Sequence, residues 1–301
     1  MKKIISIFIL MLSLFILSSC DSFNVLFDSE LRDLKYEYDM LVDKKEALEE
    51  ELALLETQYQ NYPIQIEEIK KELANIDKEL EDTYSLFCTL ENETLKGAVI
   101  VTHYLYDESG WGIFSKDEVV SGSLGSGFVI KEDTAYYYIL TNNHVINSTE
   151  TADKEAIYVY DYDLNKYSGT VMFSSADYDM ALVRIDKDSS LCSLNVMKMA
   201  DKNPNKGDDV IAIGQPRGQV NSISIGSINS YVSIKPVTYP VIYHSAWIDH
   251  GNSGGMLLNI DLEVVGINTW GGVNNSYTSH ESLASPIEKI KEFLTNNSFT
   301  L

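Results

Sequence analysis

The stretch Gly251-Asn252-Ser253-Gly254-Gly255 decides how the chain is read. A serine bracketed by glycines suits a tight turn that presents its hydroxyl, because glycine adopts backbone conformations closed to other residues and lets a ligand approach closely. Such a turn also brings backbone N–H groups near the hydroxyl, where they can hold the oxyanion that forms when a carbonyl is attacked. On its own a glycine-rich stretch also fits a plain turn, so the serine's partners have to be sought elsewhere in the chain.

Two other stretches offer them. Leu140-Thr141-Asn142-Asn143-His144-Val145-Ile146 ends an apolar run in a histidine. Histidine is the usual general base for a serine hydroxyl, since its unperturbed pKa lies near working pH. Tyr178-Asp179-Met180-Ala181-Leu182-Val183 opens an apolar run with an aspartate, and Asp177 competes for the same part. Each alone has a bland alternative: a structural histidine at a strand end, and an exposed acid where a strand starts.

Together, in the order His, Asp, Ser, these stretches resemble the trypsin-like serine proteases, and within them the bacterial HtrA/Deg-type enzymes. Gly125-Ser126-Gly127-Phe128-Val129-Ile130 is similar to that family's first-barrel strand leading toward the histidine. Thr141–Val145 resembles its TNxHV motif and Asp179–Leu182 its DxAL motif. Ile213-Gly214-Gln215-Pro216, Gly226-Ser227-Ile228 and Val265-Gly266-Ile267-Asn268-Thr269 resemble later strands of the fold. The resemblance spans roughly residues 95–296. It implies an all-β domain of two six-stranded antiparallel barrels closed by a C-terminal helix.

It also implies roles. Ser253 would be the nucleophile, His144 the base, and Asp179 the acid that orients the imidazole. The N–H groups of Gly251 and Ser253 would form the oxyanion hole. Thr269-Trp270-Gly271 would pair with an extended polypeptide substrate by strand addition, a sequence-tolerant mode of recognition. No cofactor is implied, and no CxxC or HExxH spacing supports a metal.

The chain also departs from the family pattern. Ile248-Asp249-His250 stands where the Deg family has Ile-Asn-Pro, and Met256 replaces the proline after the nucleophile motif. Trp247 falls near the expected wall or base of the specificity pocket. Asp249 suggests a preference for Lys/Arg, but its offset from Ser253 does not fit the trypsin pattern. Trp270-Gly271-Gly272-Val273 is similar to glutamyl endopeptidases, yet Asn268 and Thr269 occupy the places where their histidine belongs. Specificity stays open. Deg-type proteases usually carry PDZ domains after the protease; none is expected in the few residues after 296.

Periodicity supports the same architecture. Short apolar runs alternating with Gly, Asn and Ser clusters predict strands at 98–105, 127–130, 136–141, 157–160, 180–185, 210–213, 222–228, 256–258 and 264–268. Ser285 as N-cap, Pro286 at the first helical position and Glu288 completing a capping box predict the closing helix.

Ahead of this domain, residues 1–19 read as a lipoprotein signal peptide. Lys2 and Lys3 precede the apolar run Ile4–Leu17, which is short for a transmembrane helix. Leu17-Ser18-Ser19-Cys20 resembles a lipobox, which implies lipidation (palmitate included) at Cys20 and a membrane anchor outside the cytoplasm. Residues 20–30 form the anchor and linker, 31–90 a coiled-coil segment and 91–301 the protease domain. In the coil, Leu31, Tyr38, Lys45, Leu52, Tyr59, Ile66, Leu73 and Leu80 occupy heptad a. Leu34, Leu41, Leu48, Leu55, Tyr62, Ile69, Ile76 and Thr83 occupy d. Only Lys45 and Thr83 break the apolar seam, the pattern of an oligomerising coil, here a homo-oligomer. The phase is the same on both sides of Pro63, which favours one kinked helix over a hairpin; a continuous helix of this length would reach about 80 Å at ~1.5 Å per residue.

The 301-residue chain carries a net charge of −22, which repels phosphate backbones and argues against nucleic acid as a partner. Residues 21–82 alone hold seven Lys/Arg against nineteen Asp/Glu, so most of that charge belongs to a solvated helical face. Cys88 and Cys192 remain, either paired in an oxidising compartment or both free. Two readings compete with the enzyme: a pseudoprotease that binds on the same fold, and a structural coiled-coil lipoprotein whose β-domain merely packs or adheres.

Overall fold

The computed structural model describes residues 29–58, 63–109, 116–187, 194–215, 222–235, 237–273 and 280–301. Residues 1–19, Cys20 and Cys192 lie outside the described residues, so neither the expected signal peptide and lipid anchor nor a Cys88–Cys192 pairing meets the structure. Cys88 is half-buried and makes no disulfide among the described residues.

Two helices come first, α1 (Ser29–Gln58) and α2 (Pro63–Thr89). Lys44 Nζ lies 2.6 Å from Glu72 Oε1, and Lys45 pairs with Asp77. In one continuous helix residues 44 and 72 would stand about 40 Å apart at ~1.5 Å per residue. The chain therefore doubles back into a hairpin, and the expectation of a single kinked helix is overturned. Pro63 is the first residue of α2, where its missing N–H falls among donors that have no intrahelical acceptor anyway. Part of the expected heptad seam lies among residues whose burial is described. Tyr38, Leu41, Leu48 and Leu52 of α1 and Ile66, Ile69, Leu73 and Leu80 of α2 are half-buried, and Ile76 is fully buried. Lys45, which breaks the seam, is the residue that finds Asp77.

A single π-helical turn (Leu90–Thr94) and a 3-10 turn (Leu95–Gly97) carry the chain from α2 into the first barrel. That barrel comprises β1 (Ala98–Ser109), β2 (Lys116–Glu132), β3 (Tyr136–Thr141), β4 (Lys154–Tyr160), β5 (Lys166–Ser175) and β6 (Met180–Asp186). Its strands close in the order β1-β2-β3-β6-β5-β4. A one-turn helix, α3 (Asn143–Ile146), follows β3. The second barrel comprises β7 (Asp209–Gly214), β8 (Ser222–Ser233), β9 (Pro240–His244), β10 (Met256–Leu258), β11 (Val264–Val273) and β12 (His280–Pro286). It closes in the order β10-β11-β12-β9-β8-β7. All the pairings are antiparallel. The expected two six-stranded barrels are thus present.

Several strands are apolar without alternation because each side of the strand meets a different core. In β6, Ala181, Val183 and Ile185 fill the first barrel, while Met180 and Leu182 face the other way. In β7, Val210 and Ala212 fill the second barrel, while Ile211 and Ile213 face outward. The outward residues meet in a third cluster between the barrels with Phe128, Leu140, Met256, Leu258 and Ile267. Strands buried on both faces read as continuous hydrophobic runs. Leu90 and Leu95, from the turns after α2, also sit in this cluster.

The closing helix α4 (Ile287–Asn296) plugs the same seam with Ile287, Ile290, Phe293 and Leu294. Its start differs from expectation. Ser285 still lies in β12, paired with Ile267, and its hydroxyl meets Tyr239 OH at 2.9 Å. Pro286 is the N-cap and no side chain caps the helix, so the capping box does not form. The N–H of Glu288 is met from outside by Asn203 Oδ1 at 3.2 Å.

Candidate active site

His144 sits in α3, just beyond the end of β3. Its ring Nδ1 lies 2.7 Å from Asp179 Oδ2, and its backbone N–H donates to Asp179 Oδ1 at 3.0 Å. The carboxylate therefore fixes both the ring and the chain that carries it. Asp177 is exposed and makes no such bond, so the structure brings Asp179 and not Asp177 to His144.

Asp179 adopts φ +51 in a turn where its N–H donates to Ala176 O at 3.2 Å. Left-handed backbone is uncommon outside glycine, although aspartate tolerates it better than most residues. Two side chains hold the peptides on either side of it. Asn142 Nδ2 donates to Asp179 O at 2.7 Å, and Tyr239 OH donates to Tyr178 O at 2.9 Å. Asn142 belongs to the first barrel and Tyr239 to the second, so the acid is gripped across the seam. Burial, more than any neighbour, pushes the Tyr239 phenol up to about 12, which keeps it a donor.

Ser253 comes from the second barrel. Its Oγ points toward Thr269 O at 3.3 Å rather than to His144. The turn before it is fixed by Asn252 N–H donating to Asp249 O at 3.0 Å, with Gly251 in third place at φ +102. A positive φ at that place is what a type II turn requires, and glycine supplies it without strain. Among the described residues, the N–H groups of Gly251 and Ser253 have no hydrogen-bond acceptor. Gly254 is left-handed too, at φ +87, and a Cβ there would lie 2.1 Å from Ser126 O.

A cleft of about 400 Å³ joins these parts. It is lined by His144, Ala176, Asp179, Asp249, His250, Ser253, Thr269, Trp270 and Gly271. β10 is only three residues long and pairs with β11 no further than Ile267. Beyond Asn268, which exchanges backbone bonds with Gly254 and Gly255, the same edge of β11 faces the cleft at Thr269–Gly271. Asp249 caps the N–H of His250 at 2.8 Å, and Trp247 is partly exposed nearby in the chain. No cluster of His, Cys, Asp or Glu among the described residues is arranged to hold a metal.

Residues 125–267 match the model of the trypsin-like peptidase domain. The chain carries a trypsin-like peptidase domain homologous to the HtrA/DegP serine proteases. It is 33% identical over 190 residues to "Serine protease HTRA1" of Xenopus tropicalis, a match covering 61% of this chain and 38% of that protein. It is 32% identical over 191 residues to "Serine protease HTRA1A" of Danio rerio, covering 62% and 36%. Against the "Probable periplasmic serine endoprotease DegP-like" of Marinomonas sp. (strain MWYL1) it is 37% identical over 150 residues, covering 49% and 29%. The chain thus spans well under half the length of these relatives. The stretches around His144, Asp179 and Ser253 and the Thr269–Gly271 stretch meet at one cleft. Two residues of the site carried no sequence signal of their role, Tyr239 and Ser126. The first is an ordinary aromatic, and the second was quoted only as part of a strand.

Proposed function

We propose that the chain is a serine endopeptidase that cleaves polypeptides through an acyl-enzyme. The observation that carries the reading is the His144–Asp179 pair, 2.7 Å from ring nitrogen to carboxylate, in one cleft with Ser253 and two unused backbone donors.

With Nδ1 facing Asp179, the other ring nitrogen, Nε2, is left to serve the serine. Substrate lies along the open edge of β11 at Thr269, Trp270 and Gly271. Ser253 Oγ attacks the scissile carbonyl carbon as its proton passes to His144 Nε2, and the N–H groups of Gly251 and Ser253 receive the oxyanion. The C–N bond breaks and the imidazolium gives its proton to the leaving amine. Water, deprotonated by His144, then releases the acyl group and restores Ser253. Rotation of the serine side chain away from Thr269 O brings its hydroxyl to His144. Catalytic hydrogen bonds are often long or misaligned until substrate is present.

The location belongs to the same proposal. A homologue named as periplasmic and the export-like run before Cys20 support work outside the cytoplasm, with Cys20 lipidated as the anchor. No helix among the described residues is long and apolar enough to cross a membrane. The exposed Tyr36, Met40 and Leu54 of α1 support self-association through the helices, and unfolded exported proteins are the substrates that strand addition suits.

The turned-away Ser253 hydroxyl is the one feature that favours a binding module on the same fold. A fluorophosphonate probe on residues 21–301 separates the two, with Ser253→Ala beside it. Labelling of the parent alone supports the protease; absence of labelling, even with unfolded protein added, favours the binding module.

A further inference from the structure

The turn that carries the unused donors is held from the opposite barrel by one residue. Ser126, in β2, is 1% exposed and spends every polar atom it has. Its hydroxyl donates to Gly251 O at 2.7 Å and accepts the N–H of Gln215 at 2.8 Å. Its backbone N–H donates to Ser253 O at 2.7 Å. Its carbonyl receives Thr141 Oγ1 at 2.6 Å.

The peptide between Gly251 and Asn252 is therefore fixed at both ends, its carbonyl by Ser126 Oγ and its N–H by Asp249 O. That peptide lies between the two that carry the N–H groups of Gly251 and Ser253. Ser126 also holds the carbonyl of Ser253 through its own N–H, so the peptide that carries the Ser253 N–H is set between two carbonyls clamped by one residue. Gly251, at φ +102, begins the same clamped segment.

We propose that Ser126 is a positioning residue for catalysis, holding the oxyanion-hole turn in its donor orientation from across the barrel seam. This rests on the protease reading above. The hydroxyl touches neither substrate nor reacting atoms; it acts through the Gly251 carbonyl. Because the clamp is built from the chain's own buried groups, the hole is formed before substrate arrives.

The test compares the full chain in mild detergent with Ser126→Ala and Thr141→Val. Thr141→Val removes a neighbouring buried hydrogen bond but leaves the Ser126 hydroxyl in place. Measured are kcat and KM on a peptide substrate, and the affinities of a peptidyl boronate and of the matching product peptide. The boronate becomes tetrahedral on Ser253 and places an oxygen in the hole; the product peptide makes the strand contacts without it. For Ser126→Ala, kcat falls about 10- to 100-fold, less than the ~10²–10³ that losing a hole donor outright costs. Boronate affinity falls in parallel, while KM and product affinity hold. Thr141→Val keeps the parent's ratio of boronate to product affinity. Should Ser126→Ala fail to fold, Ser126→Cys, which keeps a weaker donor at the same place, carries the same comparison. An unchanged ratio in the Ser126 variants overturns the proposal while leaving the protease reading intact. A parent without hydrolysis overturns the protease reading and this inference with it.

Discussion

Replacing Asp179 with asparagine changes almost no volume and tests the site at its narrowest point. The carboxylate accepts twice from His144, through Oδ2 from the ring at 2.7 Å and through Oδ1 from the backbone N–H at 3.0 Å. An amide has only one acceptor oxygen. If that oxygen keeps the backbone N–H, the NH₂ faces Nδ1 and can only donate. The ring proton is then driven to Nε2, the atom that must take the proton of Ser253. The base is lost although the shape is kept, and the corresponding change in a well-studied triad costs ~10⁴ in kcat. That is about 5 kcal/mol of transition-state stabilisation at ~1.4 kcal/mol per tenfold. Steady-state hydrolysis of a fluorogenic peptide measures it, with a near-unchanged KM because strand contacts along β11 are untouched. Asp177→Asn is the control, since Asp177 is exposed and away from His144; it retains the parent's rate. Comparable losses in the two variants, or a parental rate in Asp179→Asn, would refute the reasoning.

Phe293→Ala removes a fully buried ring from the seam, where it packs 5.2 Å from Phe173 and 5.9 Å from Tyr178, and lowers stability by about 3–5 kcal/mol in urea melts. Tyr239 makes the fold sensitive to alkali. Burial raises its pKa from 10 to about 12, so the neutral phenol stabilises the fold fully below pH 10, and that contribution is lost as pH rises through 12. Melting temperatures of the parent therefore fall over that window, and Tyr239→Phe falls less steeply; equal slopes would show that the phenol does not carry the effect. Deleting residues 21–84 removes most of the hairpin but keeps Leu86, Leu90 and Leu95 at the seam. Sedimentation then reports loss of self-association with hydrolysis retained, whereas deleting residues 21–96 destabilises the barrels.

The sequence told most where chemistry or burial is strict. The stretches around His144, Asp179 and Ser253 combine residue types that nucleophilic catalysis needs, and the structure brings all three to one cleft. Nine of the twelve strands were legible from short apolar runs, which in β6 and β7 serve two cores; β9, the five-residue Pro240–His244, was missed although it is apolar. β5 was not legible, since most of Lys166–Ser175 is exposed or half-buried and shows little alternation. β12 was hidden because its buried positions include Ser282 and Ser285. Ser285 also shows how local signals mislead: Ser-Pro-x-Glu reads as a capping box, but pairing with Ile267 holds Ser285 in the sheet and Tyr239 takes its hydroxyl. The heptads failed in another way. An apolar seam states which face is buried and is silent on whether the facing helix belongs to another chain or the same one, so an unbroken phase could not exclude a hairpin.

Ser126 and Tyr239 mark the limit of such reading, because their roles come from position rather than type. The first barrel supplies His144 and Asp179; the second supplies Ser253, its turn and the open strand edge. In the proposed protease neither half acts alone, and misplacing reacting groups by ~1 Å can cost ~10² in rate. On that reading the seam between the barrels is part of the catalytic apparatus, and the structure holds it in two ways. Apolar packing brings Leu90, Phe128, Met256 and Phe293 into one cluster, which sets the distance between barrels. Directional bonds set the orientation: Ser126 reaches from the first barrel to the nucleophile turn, and Tyr239 reaches from the second to the peptide before Asp179. Dispersion and hydrophobic burial are non-directional and tolerate sliding. The paired hydrogen bonds, one in each direction across the seam, remove that freedom at the two points where catalysis requires it to be absent.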